Sequence, residues 1–292
     1  MRNMNFKHYL VTRFNLKNKK WDVTKNNESL LTDQWMEHRM ELFENYCLPS
    51  VVSQTNNNFK WLLFFDISTS TIFQKRILDI AQENKFIKCF FIDGMENFQD
   101  AIKEFIAKDA KEIPYIITSR IDNDDCVSKF YIDEIQKQFN FQKYLAVDFV
   151  SGYTLSLNPV MLGKKEQIYN PFISLIEENN NPKTVWHNDH NQWKKEKSII
   201  NIENKRVWLS IIHDKNKVNE FYGFGNIFWD SLENEFIISD KINEEIKSKI
   251  IPQKKWLLLS LKNEWHVRFK LLSKKIKKII GLYKLKKILN LK

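Results

Sequence analysis

Asp122, Asp124 and Asp125 place three carboxylates within four residues, at the end of a stretch (113–125) that reads I-P-Y-I-I-T-S-R-I-D-N-D-D. Negative charges this close repel one another unless a cation lies between them. Oxygen ligands of this kind suit Mg2+ or Mn2+, and such an ion, held by one or two carboxylates, usually shares its shell with substrate phosphates. The alternative is an acidic turn in which Asp125 caps a helix and no metal is needed. One Asp explains a cap; three do not. If the three repel, removing Asp124 is expected to leave the fold intact.

The elements around the cluster must bring it to a crevice. Pro114 opens a short apolar run, Tyr115, Ile116 and Ile117, that predicts a buried strand. Val127, Phe130, Tyr131 and Ile135 then recur at helical spacing, predicting a helix from about Cys126. Upstream, residues 8–14 predict a first strand ending at Arg13. Asp33 is the expected N-cap of a helix with Met36, Met40, Phe43 and Tyr46 as its stripe, stopped at Leu48 and Pro49. Residues 59–65 are a continuous apolar strand ending in Asp66, followed by a helix capped from residues 68–70. A third strand (86–92) and helix (98–107) complete the alternation. Strand and helix alternating in this way, with nearly unbroken apolar strands, predict a mostly parallel sheet covered by helices on both faces. Ligands of such sheets lie beyond the carboxyl ends of strands, where Arg13, Asp66 and the acidic cluster all fall.

Beyond residue 140 the pattern changes. Residues 144–149 and 153–157 predict two strands, joined as a hairpin around Ser151 and Gly152. A polar, aromatic region (170–193) carries Glu177, Glu178, His187, Asp189 and His190, and a strand over 206–212 runs into His213 and Asp214. The expected division is a catalytic domain over 1–239, with a donor half to about 140 and an acceptor half after it, and a basic helical region over 240–292.

Composition bounds the classes. A hydrophobic content of 43% and a charged content of 28% are those of a globular chain with ample core. Cys47, Cys89 and Cys126 are far apart and match no zinc spacing, which points to a reducing compartment. The first residues lack a signal-peptide run, and no stretch of about 18 apolar residues predicts a membrane span. The net charge of +10 is concentrated: 13 Lys and Arg against Glu264 lie between Lys254 and Lys292.

In this order the features resemble a nucleotide-sugar glycosyltransferase of the GT-A type, and more narrowly the bacterial family labelled as rhamnosyltransferases. The segments that carry the resemblance are T-R-F-N at 12–15, L-F-E-N-Y-C-L-P-S-V-V-S-Q-T at 42–55 and W-L-L-F-F-D at 61–66. It continues in T-S-R-I-D-N-D-D at 118–125, S-L-I-E at 174–177 and V-W-L-S-I-I-H at 207–213, so it spans about residues 6–215. The resemblance implies a Rossmann-like α/β fold and a D-x-D motif at Asp122-Asn123-Asp124. The first Asp would meet the ribose or sugar, and the second would bind the Mn2+ or Mg2+ that bridges the donor diphosphate. It implies nucleotide contacts from Arg13 and Asp66, a metal or diphosphate ligand at His213, and a phosphate contact or a neutralising role for Arg120. Asp66 is equally readable as a turn before its helix. Arg39, in mid-helix, is expected to pair with Glu41 or another carboxylate. An inverting transfer needs a carboxylate base, for which Asp189 is preferred over Glu177.

The partners so implied are a UDP-, GDP- or dTDP-linked sugar and a glycan or lipid-linked acceptor. Residues 271–292 predict an amphipathic basic helix with Leu272, Ile276, Ile279, Ile280 and Tyr283 on one face, and Gly281 as a kink. Such a helix suits the anionic inner face of the cytoplasmic membrane, with the enzyme otherwise cytoplasmic; packing on the catalytic domain is the alternative. The Lys runs also match nucleic acid, but little Arg and a strong apolar face disfavour it. The competing class is a non-catalytic protein binding membrane or nucleic acid, with a structural Asp cluster.

Overall fold

The computed structural model describes residues 5–18, 32–215 and 220–281. Residues 282–292 of the expected tail, Tyr283 included, lie outside the described residues.

Four parallel strands form the first half of the sheet: β1 (Phe6–Arg13), β2 (Lys60–Asp66), β3 (Ile87–Ile92) and β4 (Tyr115–Arg120), in the order β3-β2-β1-β4. β2 is buried from Trp61 to Asp66, as its unbroken apolar sequence requires of a strand covered on both faces. Helices α1 (Asp33–Leu42), α2 (Leu48–Val52), α3 (Thr71–Glu83) and α4 (Phe98–Asp109) connect these strands. One core contains Met36, Phe43, Phe73 and Ile77; the core on the other face contains Phe98, Ile102 and Ile106. This half, parallel and covered by helices on both faces, has the α/β fold expected.

The second half is largely antiparallel. β8 (Ser174–Glu178) pairs with both β4 and β6 (Tyr144–Leu157); β9 (Ile199–Ile212) runs parallel to β6; β7 (Val160–Glu166) and β5 (Cys126–Val127) pair with β6 and β9. Helices α5 (Tyr131–Gln136), α6 (Asp240–Lys249) and α7 (Leu257–Ile279) complete the elements. Among the described residues no helix is long and apolar enough to cross a membrane.

Several local expectations are corrected. Thr32, not Asp33, caps α1, its Oγ1 accepting from Trp35 N at 3.2 Å. The chain does not stop at Leu48 and Pro49 but continues through a π-helical turn (Phe43–Cys47) into α2, with Pro49 in its first turn. Ser70 begins α3 without a side-chain cap. No helix starts at Cys126: Cys126 and Val127 pair with β9, and α5 begins at Tyr131. Gly152 is not a turn residue, because β6 is continuous through it with shifts in register on either side. Trp208 explains that glycine. Its ring occupies the place a Cβ at 152 would take, lies flat on Phe172 and donates from Nε1 to Phe149 O at 2.6 Å.

Candidate active site

The three clustered carboxylates fan out to three different sets of partners. Asp122, half-buried just past the end of β4, lies in the electrostatic field of Arg13 and Arg120. Asp124 is buried and accepts at Oδ2 from Arg39 Nη1 (2.8 Å) and His213 Nε2 (3.0 Å). Asp125 is not a helix cap: its Oδ1 accepts from Ile211 N at 3.0 Å, tying the cluster to β9. Burial works against a charged Asp124, but Arg39 and then His213 outweigh it and hold this carboxyl well below the usual range. Asp125 moves the other way, pushed up by burial and by the charges of Asp124 and Asp122. Lys165 tempers that shift; burial brings the lysine down to about 8, and its Nζ donates to Ser210 Oγ at 3.0 Å.

Arg39 therefore does not pair with Glu41 but reaches across to the D-x-D segment. A second residue of α1 joins it. His38 Nε2 lies 3.5 Å from Nδ1 of His213. Since a carboxylate only accepts, the proton shared between His213 and Asp124 sits on His213 Nε2. Donor atoms of His38, His213 and Asp214 lie within 4.8 Å of one another. Burial and the neighbouring His213 bring His38 down to about 4, so its imidazole is neutral, the form that binds metals. Two imidazoles and a carboxylate beside Asp124 are a mixed nitrogen and oxygen donor set that fits a divalent ion. In the sequence, the mark of His38 is a His-Arg pair set between Met36 and Met40 of the apolar stripe.

On the other side of Asp122 lies a cationic platform. The Arg120 guanidinium stands 3.9 Å from the centre of the Trp186 ring, and Arg13 stands over the same ring at 5.3 Å. Both arginines are shifted down by burial and held up by Asp122 and Asp189. Arg120 is buried, and its Nε and Nη1 meet no acceptor among the described residues. Asn123, between the two aspartates of the motif, likewise has both side-chain polar atoms buried without a partner among the described residues. Buried polar atoms are rarely left unpaired in a native protein unless a ligand or ion completes them.

Glu177 and Asp66 belong to the framework of this platform. Glu177 pairs in register with Ile116 and Tyr144, near the amino end of β4, so the structure does not bring it to the acidic cluster. It lies in β8. Its two oxygens accept from Lys183 N and Thr184 N, each at 2.8 Å, and Val185 N donates to Thr118 Oγ1 at 2.8 Å. Thr184 is held at φ 65°, a conformation that only glycine adopts freely, and the turn so clamped presents Trp186 to Arg120. Asp66 accepts from Ser68 N and Oγ at one oxygen and from Lys17 N and Gly94 N at the other. It binds together loops at the strand ends, which is the turn reading. Asp189 is exposed at the start of a short turn (His190–Lys195), and its carboxylate makes no capping bond there.

The profile of a family described as "Putative rhamnosyl transferase" matches residues 7–223. The chain belongs to this family. No curated protein matches the sequence. Among solved structures it is similar to residues 1–349 of S. aureus TarS, at 11% identity over 70% of this chain and 60% of that one, with a TM-score of 0.39. It is also similar to a "putative nucleotide-diphospho-sugar transferase" from Desulfovibrio desulfuricans G20, at 7% identity over 85% and 99% of the two chains, with a TM-score of 0.37. A third is the inositol-1-phosphate CTP transferase from T. maritima, at 9% identity over 84% and 96%, with a TM-score of 0.37. The rhamnosyltransferase-family chain spans about 60% of the TarS 1–349 chain and 37% of a longer TarS chain.

Proposed function

We propose that this glycosyltransferase moves a sugar, rhamnose by the family's description, from a UDP-, GDP- or dTDP-linked donor to a hydroxyl of a glycan or lipid-linked acceptor in surface polysaccharide synthesis. The observation that carries the reading is Arg120: a buried guanidinium, stacked on Trp186 beside Arg13, with two nitrogens lacking an acceptor among the described residues. Two adjacent guanidiniums repel each other, and a diphosphate relieves that repulsion while filling the open donors.

In the proposed inverting reaction the acceptor oxygen bonds to the anomeric carbon as the bond from that carbon to the diphosphate oxygen breaks. The bonding pair leaves on the phosphate, where Arg13 and Arg120 offset the growing negative charge. Asp189 takes the acceptor's proton; its carboxylate is free of the local cap and lies in the field of both arginines. Asp122 holds the ribose or sugar. Asp124, His213 and His38, with Asp122 and Asp214 at hand, would hold a divalent ion that adds Lewis-acid neutralisation of the diphosphate. The mixed donor set favours Mn2+ over Mg2+, which takes oxygen ligands by preference. Arg39 keeps Asp124 ionised and in place. A lipid-linked acceptor puts the reaction at the inner face of the cytoplasmic membrane.

Thermal melting with Mn2+ and each of UDP, GDP and dTDP tests this reading. A ligand that binds only the folded state raises Tm by mass action, so the matching nucleotide with Mn2+ should raise Tm beyond either alone. No shift with any of the three would overturn the proposal, and a screen of donor hydrolysis would then name the sugar if it stands.

A further inference from the structure

α7 begins beyond residue 223, where the family match ends, and has two opposed faces. Toward the body, Ser260, Asn263 and Val267 are buried. Ser260 Oγ accepts from Gly225 N at 3.0 Å, and Asn263 Nδ2 donates to Gly223 O at 3.0 Å. Later in the helix Leu271 packs on the core, Lys274 Nζ donates to Ile168 O at 3.1 Å, and Lys275 pairs with Glu203 at 2.5 Å. The helix is thus fixed to the domain along its length.

The outward face is a row of large apolar side chains. Leu258, Trp265, Phe269, Leu272, Ile276 and Ile279 are 83, 70, 61, 56, 46 and 84% exposed. At about 3.6 residues per turn they fall on one narrow stripe opposite the buried face. Trp265 and Phe269 stack on each other at 5.5 Å, one turn apart. A continuous exposed stripe of this length marks an interaction surface. The spacing suits either another helix or a bilayer surface, and charge decides between them. α7 carries seven Lys and Arg; Arg268 pairs with Glu264 and Lys275 with Glu203, which leaves Lys262, Lys270, Lys274, Lys277 and Lys278 in no ion pair among the described residues. Two copies laid face to face would bring two strongly cationic helices together. An anionic bilayer compensates the charge and covers the stripe at once.

We infer that the outward face of α7 is a docking surface for an anionic bilayer, with the helix lying in the interfacial plane and Trp265 and Phe269 at its apolar centre. This deepens the membrane expectation and moves it: the surface starts at Leu258 rather than at residue 271, and Leu271 itself faces the body. It does not depend on the sugar, the metal or the base, so loss of the transfer reading would leave it standing.

The test uses the full chain and vesicles of phosphatidylcholine with and without phosphatidylglycerol. The chain should sediment with the anionic vesicles and far less with the neutral ones, and salt should weaken but not abolish binding. W265S/F269S should lower partitioning at least about tenfold with Tm unchanged, because both rings are exposed. W265F should still bind, but should lose the fluorescence quenching that brominated acyl chains impose on the wild type. The inference is overturned if the wild type does not partition, if the double variant partitions as well as wild type, or if W265F is quenched as before. It is equally overturned if the stripe instead holds a dimer in solution, dissolved by W265S/F269S, or if only nucleic acid binds.

Discussion

Arg39 Nη1 lies 2.8 Å from Asp124 Oδ2, joining α1 to the D-x-D segment across 85 residues of chain. The carboxylate that the sequence left crowded among like charges is therefore paired within the protein. Removing it relieves Asp125 of one like charge but strands a guanidinium whose Nε already lacks a partner among the described residues. The fold should not be indifferent to Asp124, contrary to the expectation from the charge cluster alone. Asp124→Asn should abolish transfer and also cost about 2 kcal/mol or more of stability, because breaking a largely buried pair leaves a charge uncompensated. Urea unfolding in the absence of metal checks the second part; an unchanged midpoint would mean that Arg39 finds another acceptor.

Arg120→Lys keeps the charge but loses the planar fork and the stacking on Trp186. If the platform holds a diphosphate, this variant should weaken nucleoside-diphosphate binding by about tenfold, and Arg120→Ala or Arg13→Ala by more. Calorimetric titration with the nucleotide measures both. Equal affinity in Arg120→Lys and wild type would remove the fork from recognition.

Glu177 and Asp189 should separate cleanly. Glu177→Gln removes an acceptor from a strained turn, so Tm should fall while turnover per folded molecule and its pH profile hold nearly steady. Asp189→Asn should leave Tm alone and lower kcat by about a hundredfold or more, the range for a lost general base. The reverse pattern would return Glu177 to the chemistry.

His38→Ala should weaken Mn2+ binding by about tenfold in a paramagnetic titration of the chain without donor, as loss of a ligand or of its supporting contact does. His213→Ala should weaken it further, since that residue also touches Asp124. Full Mn2+ affinity in His38→Ala would reduce His38 to a neighbour of His213.

Asp148 gives the pH dependence. It is wholly buried and accepts from Tyr169 N, Asn170 Nδ2 and Asn201 Nδ2, yet burial pushes its carboxyl up to about 7. The folded state then holds a proton that the unfolded chain, titrating near 4, releases. Stability should fall as pH rises from about 4 to 7 and then level off. Each tenfold difference in proton affinity is worth about 1.4 kcal/mol, so Tm recorded across that range will show it. Asp148→Asn should flatten the slope; an equally steep slope in the variant would assign it to other groups.

The amino-acid sequence by itself determined the elements and the end of the sheet at which chemistry would collect. Unbroken apolar runs such as W-L-L-F-F at 61–65, bounded by turn residues, read as strands covered on both faces, and Arg13, Asp66 and Asp122 mark the ends of three of the strands. Local pattern also carried the D-x-D segment and the basic amphipathic C-terminal helix, because charge and periodicity are properties of neighbours in the chain. What the tertiary structure alone decided was which partner each charged group has. Asp124 meets Arg39 and His213, Glu177 turns back on the Lys183–Thr184 backbone, Gly152 yields its space to Trp208, and Leu271 faces inward while Trp265 faces out. Each of these depends on contacts between residues distant in sequence or on which side of a helix the body covers. A charge or a ring has the same local signature whether it faces a ligand, a partner or water, so only packing assigns it.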